Sequence, residues 1–286
     1  MPLNLGLIFG IIAFLAWGTA DFFAAVAVRK SGSFKTFLWS QTLGIFFFVL
    51  ALVLFYEPIH FTWINLFLLV FLGILSVVSY LAFYKGLEVG EVAVVSPIAS
   101  AWALVTVILS LIFLHESLNR IQIIAVSLLI LGSVLSSFHY HDLLQFKFKK
   151  TFVGVKYALV ALFTWGVYFF LLSYLVKDWG WFMPIFSLKI LSLLFLWSYA
   201  KKTQKDITFP KNIFIYLFLI GFLEVIAFLA YGSGLRVEMS SLIAPISAAF
   251  PMVTVILARI FLKEHWEPNQ TLGIMMILTS LILLAL

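Results

Sequence analysis

Val105-Thr106-Val107-Ile108-Leu109 and Val253-Thr254-Val255-Ile256-Leu257 are the same five residues, 148 positions apart. Working outward at that offset, Ile112-Phe113-Leu114 meets Ile260-Phe261-Leu262. Gly6 meets Gly154, Trp17-Gly18 meets Trp165-Gly166, and Gly73 meets Gly221. Gly86-Leu87 meets Gly234-Leu235, Pro97 meets Pro245, Glu116 meets Glu264, and Gln122 meets Gln270. An apolar run can recur by chance. One gapless offset that also aligns Trp-Gly, Pro, Glu and Gln across half the chain is an internal duplication.

The chain is 286 residues, 64% hydrophobic and only 10% charged, with a mean hydropathy of +1.16. A soluble domain carries about 25% charge, so a soluble globular protein is excluded, and disorder with it. Ten apolar stretches run at 5–28, 34–56, 64–86, 92–114, 118–138, 152–176, 180–200, 212–235, 239–262 and 268–286. Each is long enough for a hydrocarbon core of about 30 Å, and ten spans use roughly 200 residues, leaving only loops. Their length and lack of strict alternation predict helices, not a barrel. The expected fold is all-α and polytopic, with ten transmembrane helices in two repeats. The first repeat covers 1–138, a basic connection covers 139–151, and the second repeat covers 152–286. Five spans per copy is an odd number. The second copy therefore enters from the opposite side, and the repeats are inverted about an axis in the membrane plane.

The formal charge is +6, and cysteine is absent. Basic loops under the positive-inside rule account for the charge without nucleic acid. Without cysteine there are no disulfides and no thiolate metal sites. The connections after odd-numbered spans carry fourteen Lys and Arg, including Arg29, Lys30, Lys147, Lys201 and Lys205. The opposite face carries three: Arg120, Lys177 and Arg236. This places both termini outside the cytoplasm, in an inner (plasma) membrane. The first stretch has neither a preceding basic run nor a small-residue cleavage pattern, and reads as a retained span.

Tyr84-Lys85-Gly86-Leu87 leads through Gly90 to Ser96-Pro97-Ile98, then to a long apolar helix, Glu116 and Gln122. The second copy runs Gly234-Leu235, Ala244-Pro245-Ile246, Glu264, Gln270 and Gly273, and the first helix reads Ala16-Trp17-Gly18-Thr19-Ala20-Asp21-Phe22. In order and in both copies, these resemble the drug/metabolite transporter superfamily, EamA type. The resemblance implies a central cavity lined mainly by helices 1, 3, 4, 6, 8 and 9, with helices 5 and 10 peripheral. It also implies movement of small metabolites, often amino-acid export, and termini in the cytoplasm, opposite to the charge count. It does not carry over a role for Asp21 or Glu224.

Those two are singled out by cost. A carboxylate at mid-membrane costs about 2.5–3.5 kcal/mol on insertion scales, so Asp21 and Glu224 should face the bundle interior or a wet cavity. Lys189 is the one basic residue well inside a span. It is a partner for either carboxylate or a ligand for a substrate carboxylate. Trp17 and Trp165, matched in the two copies, are candidate cavity walls able to stack on an ammonium group; Trp102, Tyr80 and Tyr84 are further candidates. Pro97, Pro245 and Pro251 interrupt spans 4 and 9 as kink or gating positions. Glu116 and Glu264 read as helix-start or loop contacts. His139 and His141 make a poor metal site without further ligands. Neither a metal nor a cofactor is expected, and no enzyme motif is present.

The resulting expectation is a secondary transporter using alternating access, with amino acids as first cargo and export as direction. Proton coupling through Asp21 and Glu224 stands open beside facilitated diffusion. The expected partners are a small-molecule substrate, membrane lipids and possible protons. A monomer is sufficient, and a dimer is open. The alternatives are a lipid or drug flippase of the same fold, or a membrane-embedded lipid-modifying enzyme.

Overall fold

The computed structural model describes residues 5–58, 62–90, 92–137, 148–262 and 268–285. His139, His141 and Glu264 lie outside them. Twelve α-helices run through the described residues: α1 Leu5–Ser31, α2 Ser33–Phe55, α3 Trp63–Val89, α4 Val92–Ser100, α5 Trp102–Phe113, α6 Arg120–Ser137, α7 Phe148–Trp179, α8 Phe182–Lys202, α9 Phe214–Val237, α10 Ser240–Ser247, α11 Phe250–Leu262 and α12 Pro268–Ala285. Seven helical segments are long and apolar enough to cross a membrane. Three shorter apolar segments, at Ile98–Phe113, Arg120–Ser136 and Ser240–Thr254, complete the set. Large apolar side chains cover the outside: Trp63 is 87% exposed, Val53 83% and Phe67 70%. Such a surface suits lipid and not water. The chain is an all-α polytopic membrane protein.

Spans 4 and 9 differ from the sequence expectation. Each is two half-length helices, α4–α5 and α10–α11. The breaks fall at repeat-equivalent positions, Ala101 and Ala249. At the first, the Ala101 N–H donates to the Ile98 carbonyl at 3.3 Å and the Leu104 N–H to the Ala101 carbonyl at 3.0 Å. At the second, Ala249 donates to Ile246 at 3.2 Å and Met252 to Ala249 at 3.1 Å. These i→i−3 bonds are one tight turn inserted in an α-ladder. Pro97 and Pro245, which supply no N–H, sit inside α4 and α10 just before the breaks. Pro251 is a correction. It lies in the first turn of α11, where the missing N–H would have had no partner anyway, so it opens a helix and does not kink one.

Packing repeats with the sequence. α1 lies along α9 as α7 lies along α3, and α1 meets α11 as α7 meets α5. α6 and α12, equivalents of each other, pair together. A Cβ at Gly18 would collide with the Phe250 carbonyl and Val253, and one at Gly166 with Val105 and the Trp102 carbonyl. The pentapeptides that reveal the duplication act at the same contacts. Thr254 Oγ1 donates to the Gly18 carbonyl at 3.1 Å, and Thr106 Oγ1 donates to the Gly166 carbonyl at 3.0 Å. Each helix start therefore docks on a Trp-Gly step of the other repeat.

Contacts between connections sort the bundle into two ends. Lys35 pairs with Asp206, and Ser33 Oγ donates to Glu88 at 2.5 Å. At the opposite end, Lys177 pairs with Glu116 at 3.1 Å, Arg236 with Glu57 at 3.8 Å, and Asn65 donates to Asp178. Odd-numbered connections meet only odd-numbered ones in these contacts, as alternate crossing requires.

Candidate substrate cavity

Asp21 lies on α1 one turn beyond Trp17, and Glu224 lies on α9. Because α1 packs along α9, both carboxylates reach the same space. That space is a cavity of about 20 Å³ lined by Trp17, Asp21, Tyr80, Trp102, Trp165, Phe169, Glu224 and Phe250, about enough for one water molecule. Its walls are six aromatic rings and two carboxyl groups. Trp102 stacks on Phe169 at 4.1 Å between centroids. Trp17 meets Phe228 edge-on at 5.3 Å, and Trp165 meets Tyr80 edge-on at 5.2 Å. These two pairs are repeat equivalents of each other. The indole Nε1 groups of Trp17 and Trp165 are buried without a hydrogen-bond partner among the described residues.

Glu224 is 5% exposed and Lys189 is 4% exposed. Lys189 Nζ stands 3.2 Å from Glu224 Oε2 and donates to Gln41 Oε1 at 3.1 Å. Gln41 Nε2 donates to Glu224 Oε2 at 2.7 Å. The ammonium also sits 3.9 Å from the Phe228 ring centroid and 5.1 Å from that of Tyr80. Behind Glu224, a recess of about 10 Å³ borders Gln41 and Lys189. Asp21 has neither a hydrogen bond nor an ion pair with any described residue. The site thus holds two carboxylates and one ammonium.

Tyr84, a cavity candidate from sequence, does not line the cavity. One turn beyond Tyr80 on α3, its ring packs at 5.4 Å from Phe37 and is fully buried. Sequence reading missed Gln41, Phe169 and Phe250. Each is 148 residues from one it named: Gln41 from Lys189, Phe169 from Asp21, Phe250 from Trp102. Applying the offset to the site residues themselves would have found all three. The rings follow the two-fold relation, and the charges break it.

At the end of the bundle, Glu116 in the α5–α6 connection accepts from the N–H groups of Ser240 at 3.2 Å and Ser241 at 2.9 Å, capping α10 from the other repeat. Burial raises its carboxyl, but the Ser241 N–H, Lys177 and the Ser240 N–H outweigh that, leaving it below the ordinary value. At the basic end, Asp206 is held at about 2, first by Lys35 and then by the Thr208 N–H and hydroxyl. Among the described residues no group of three or more His, Cys, Asp or Glu is placed to hold a metal.

A solved crystal structure of a protein matches with a TM-score of 0.75 over 97% of both chains, at 15% identity, a likeness of fold alone. Uncharacterized protein MJ1333.1 of Methanocaldococcus jannaschii is 27% identical over 135 residues, which is 47% of this chain and 98% of that protein. That relative is therefore about one repeat long. The EamA-like transporter family model matches twice, at 4–138 and at 152–286. With both copies matched and the cavity closed between them, the chain belongs to the EamA-like transporter family.

Proposed function

We propose that this membrane transporter carries small metabolites bearing an ammonium group, amino acids and amines among them, by alternating access. One observation carries the reading. Six aromatic rings surround Asp21, a carboxylate with no partner among the described residues, at the junction of the two repeats. Aromatic faces and a free carboxylate are what an ammonium needs. The cavity admits little more than one water, so a cargo requires the walls to part. The broken spans α4–α5 and α10–α11 contribute Trp102 and Phe250 to those walls and supply half-length elements that can move. Because the repeats are inverted, the movement that opens one end has an equivalent that opens the other. Export is the favoured direction, by family resemblance. Asp21 and Glu224 take up a proton when the cargo leaves, coupling transport to a proton gradient.

The test is flux into proteoliposomes of radiolabelled amino acids and amines, with and without a pH gradient. Wild-type protein should show gradient-dependent flux. Asp21→Asn or Glu224→Gln should lose the pH dependence. Unchanged pH profiles in both variants would sink coupling through these groups.

A further inference from the structure

We infer that the cargo is a net cation: an ammonium on an aromatic or apolar body, with a neutral hydroxyl or carbonyl where an amino acid has its carboxylate. This rests on the transport reading of the same cavity and narrows its substrate class.

Charge and hydrogen-bond donors decide which cargo fits. When both are ionised, Asp21 and Glu224 bring two negative charges against the one positive charge of Lys189. Asp21, half-buried and without an ion-pair partner among the described residues, is then a carboxylate that calls for a counter-charge. A monocation closes that deficit, a zwitterion leaves it, and an anion deepens it. Lys189 cannot serve a cargo carboxylate. An ammonium has three donors, and these face Glu224 Oε2 at 3.2 Å, Gln41 Oε1 at 3.1 Å and the Phe228 ring at 3.9 Å. Among the described residues no Lys, Arg or His lines the cavity. The donors left over are neutral. The indole N–H groups of Trp17 and Trp165, 7% and 6% exposed, have no partner among the described residues. A buried, unmet donor is unfavourable, and an uncharged acceptor on the cargo relieves it. Lys189 itself displays the recognition chemistry. Its ammonium already rests between a carboxylate and an aromatic face within this site.

Three probes share one benzyl group and differ in charge: phenylalaninamide, phenylalanine and N-acetylphenylalanine. Equilibrium binding to detergent-purified protein is measured at pH 6, where an α-amine is protonated. Phenylalaninamide should bind at least about tenfold tighter than phenylalanine, and N-acetylphenylalanine should not bind. Asp21→Asn should bring the ratio towards one, and Asp21→Glu should keep it. Should the Asn variant misfold, the wild-type ratio decides. Equal or tighter binding of phenylalanine overturns the inference, as does a preference that survives in Asp21→Asn or silence from all three probes. Phenylalanine flux without amide preference would defeat the inference and leave the transport reading standing. Amide binding without flux of any solute would do the reverse.

Discussion

Lys189 and Glu224 form a buried ion pair at 3.2 Å. Removing one partner of such a pair leaves an uncompensated charge and costs about 3–5 kcal/mol, whereas replacing both with apolar groups is often neutral. Lys189→Met should therefore lower the melting temperature sharply in detergent, and adding Glu224→Leu should restore most of it. A double variant as unstable as the single one would mean that the pair is not an isolated electrostatic unit. Asp21 has the opposite character. It has no partner to lose among the described residues, so Asp21→Leu should raise the melting temperature while abolishing flux, the trade expected of a residue kept for function. A drop in thermal stability would show that Asp21 has a structural partner after all. The cost of intramembrane charge made all three residues legible in the sequence. Which pairs with which was not, because α2, α8 and α9 converge only in the folded bundle. Gln41 is uncharged, and its place in the triad shows only through its repeat relation to Lys189.

At the scale of elements, hydropathy located the spans within a few residues but gave spans 4 and 9 as continuous. Hydropathy does not register a single turn tightened at Ala101 or Ala249, since the composition on either side is equally apolar. Proline was the available signal, and it pointed one way at Pro97 and Pro245 and another at Pro251. The short α10 depends on a cap that its own sequence does not supply. Its N-cap residue Met239 makes no side-chain cap bond, and Glu116 of the other repeat accepts the Ser240 and Ser241 N–H groups instead. Glu116→Ala should thus destabilise the protein by about 1–3 kcal/mol, the cost of leaving donors unmet, read as a lowered melting temperature. The same contact fixes a pH dependence. The Glu116 carboxyl is lower in the folded protein than its ordinary value of 4.5. Its stabilisation is complete above that value and is lost as pH falls through the folded one. Melting temperature should decline on acidification below about pH 4.5, and less steeply in Glu116→Gln. Parallel pH curves for the two proteins would assign the acid sensitivity elsewhere, with Asp206, at about 2, titrating at still lower pH.

For the whole molecule, the duplication settles parity but not direction. Five spans per repeat invert the second copy whichever side the first one enters from. The ion pairs agree with that parity, since Lys35 joins Asp206 at one end while Lys177 joins Glu116 and Arg236 joins Glu57 at the other. Direction has to come from charge. Fourteen Lys and Arg lie on the connections that include 139–151 and 201–211, against three on the face carrying both termini. Lys and Arg within short loops are retained on the cytoplasmic side, so both termini should lie outside. A fluorescent protein that matures only in the cytoplasm, fused after Leu286, should stay dark, and a phosphatase active only outside should be active at the same position. Neutralising Lys147, Lys149, Lys150, Lys201, Lys202 and Lys205 together removes six of the fourteen charges and should shift the population of molecules towards the reverse orientation. A fluorescent fusion on the unmodified chain would overturn the charge argument. It would put the Glu116 end of the bundle in the cytoplasm, and the Asp206 end outside.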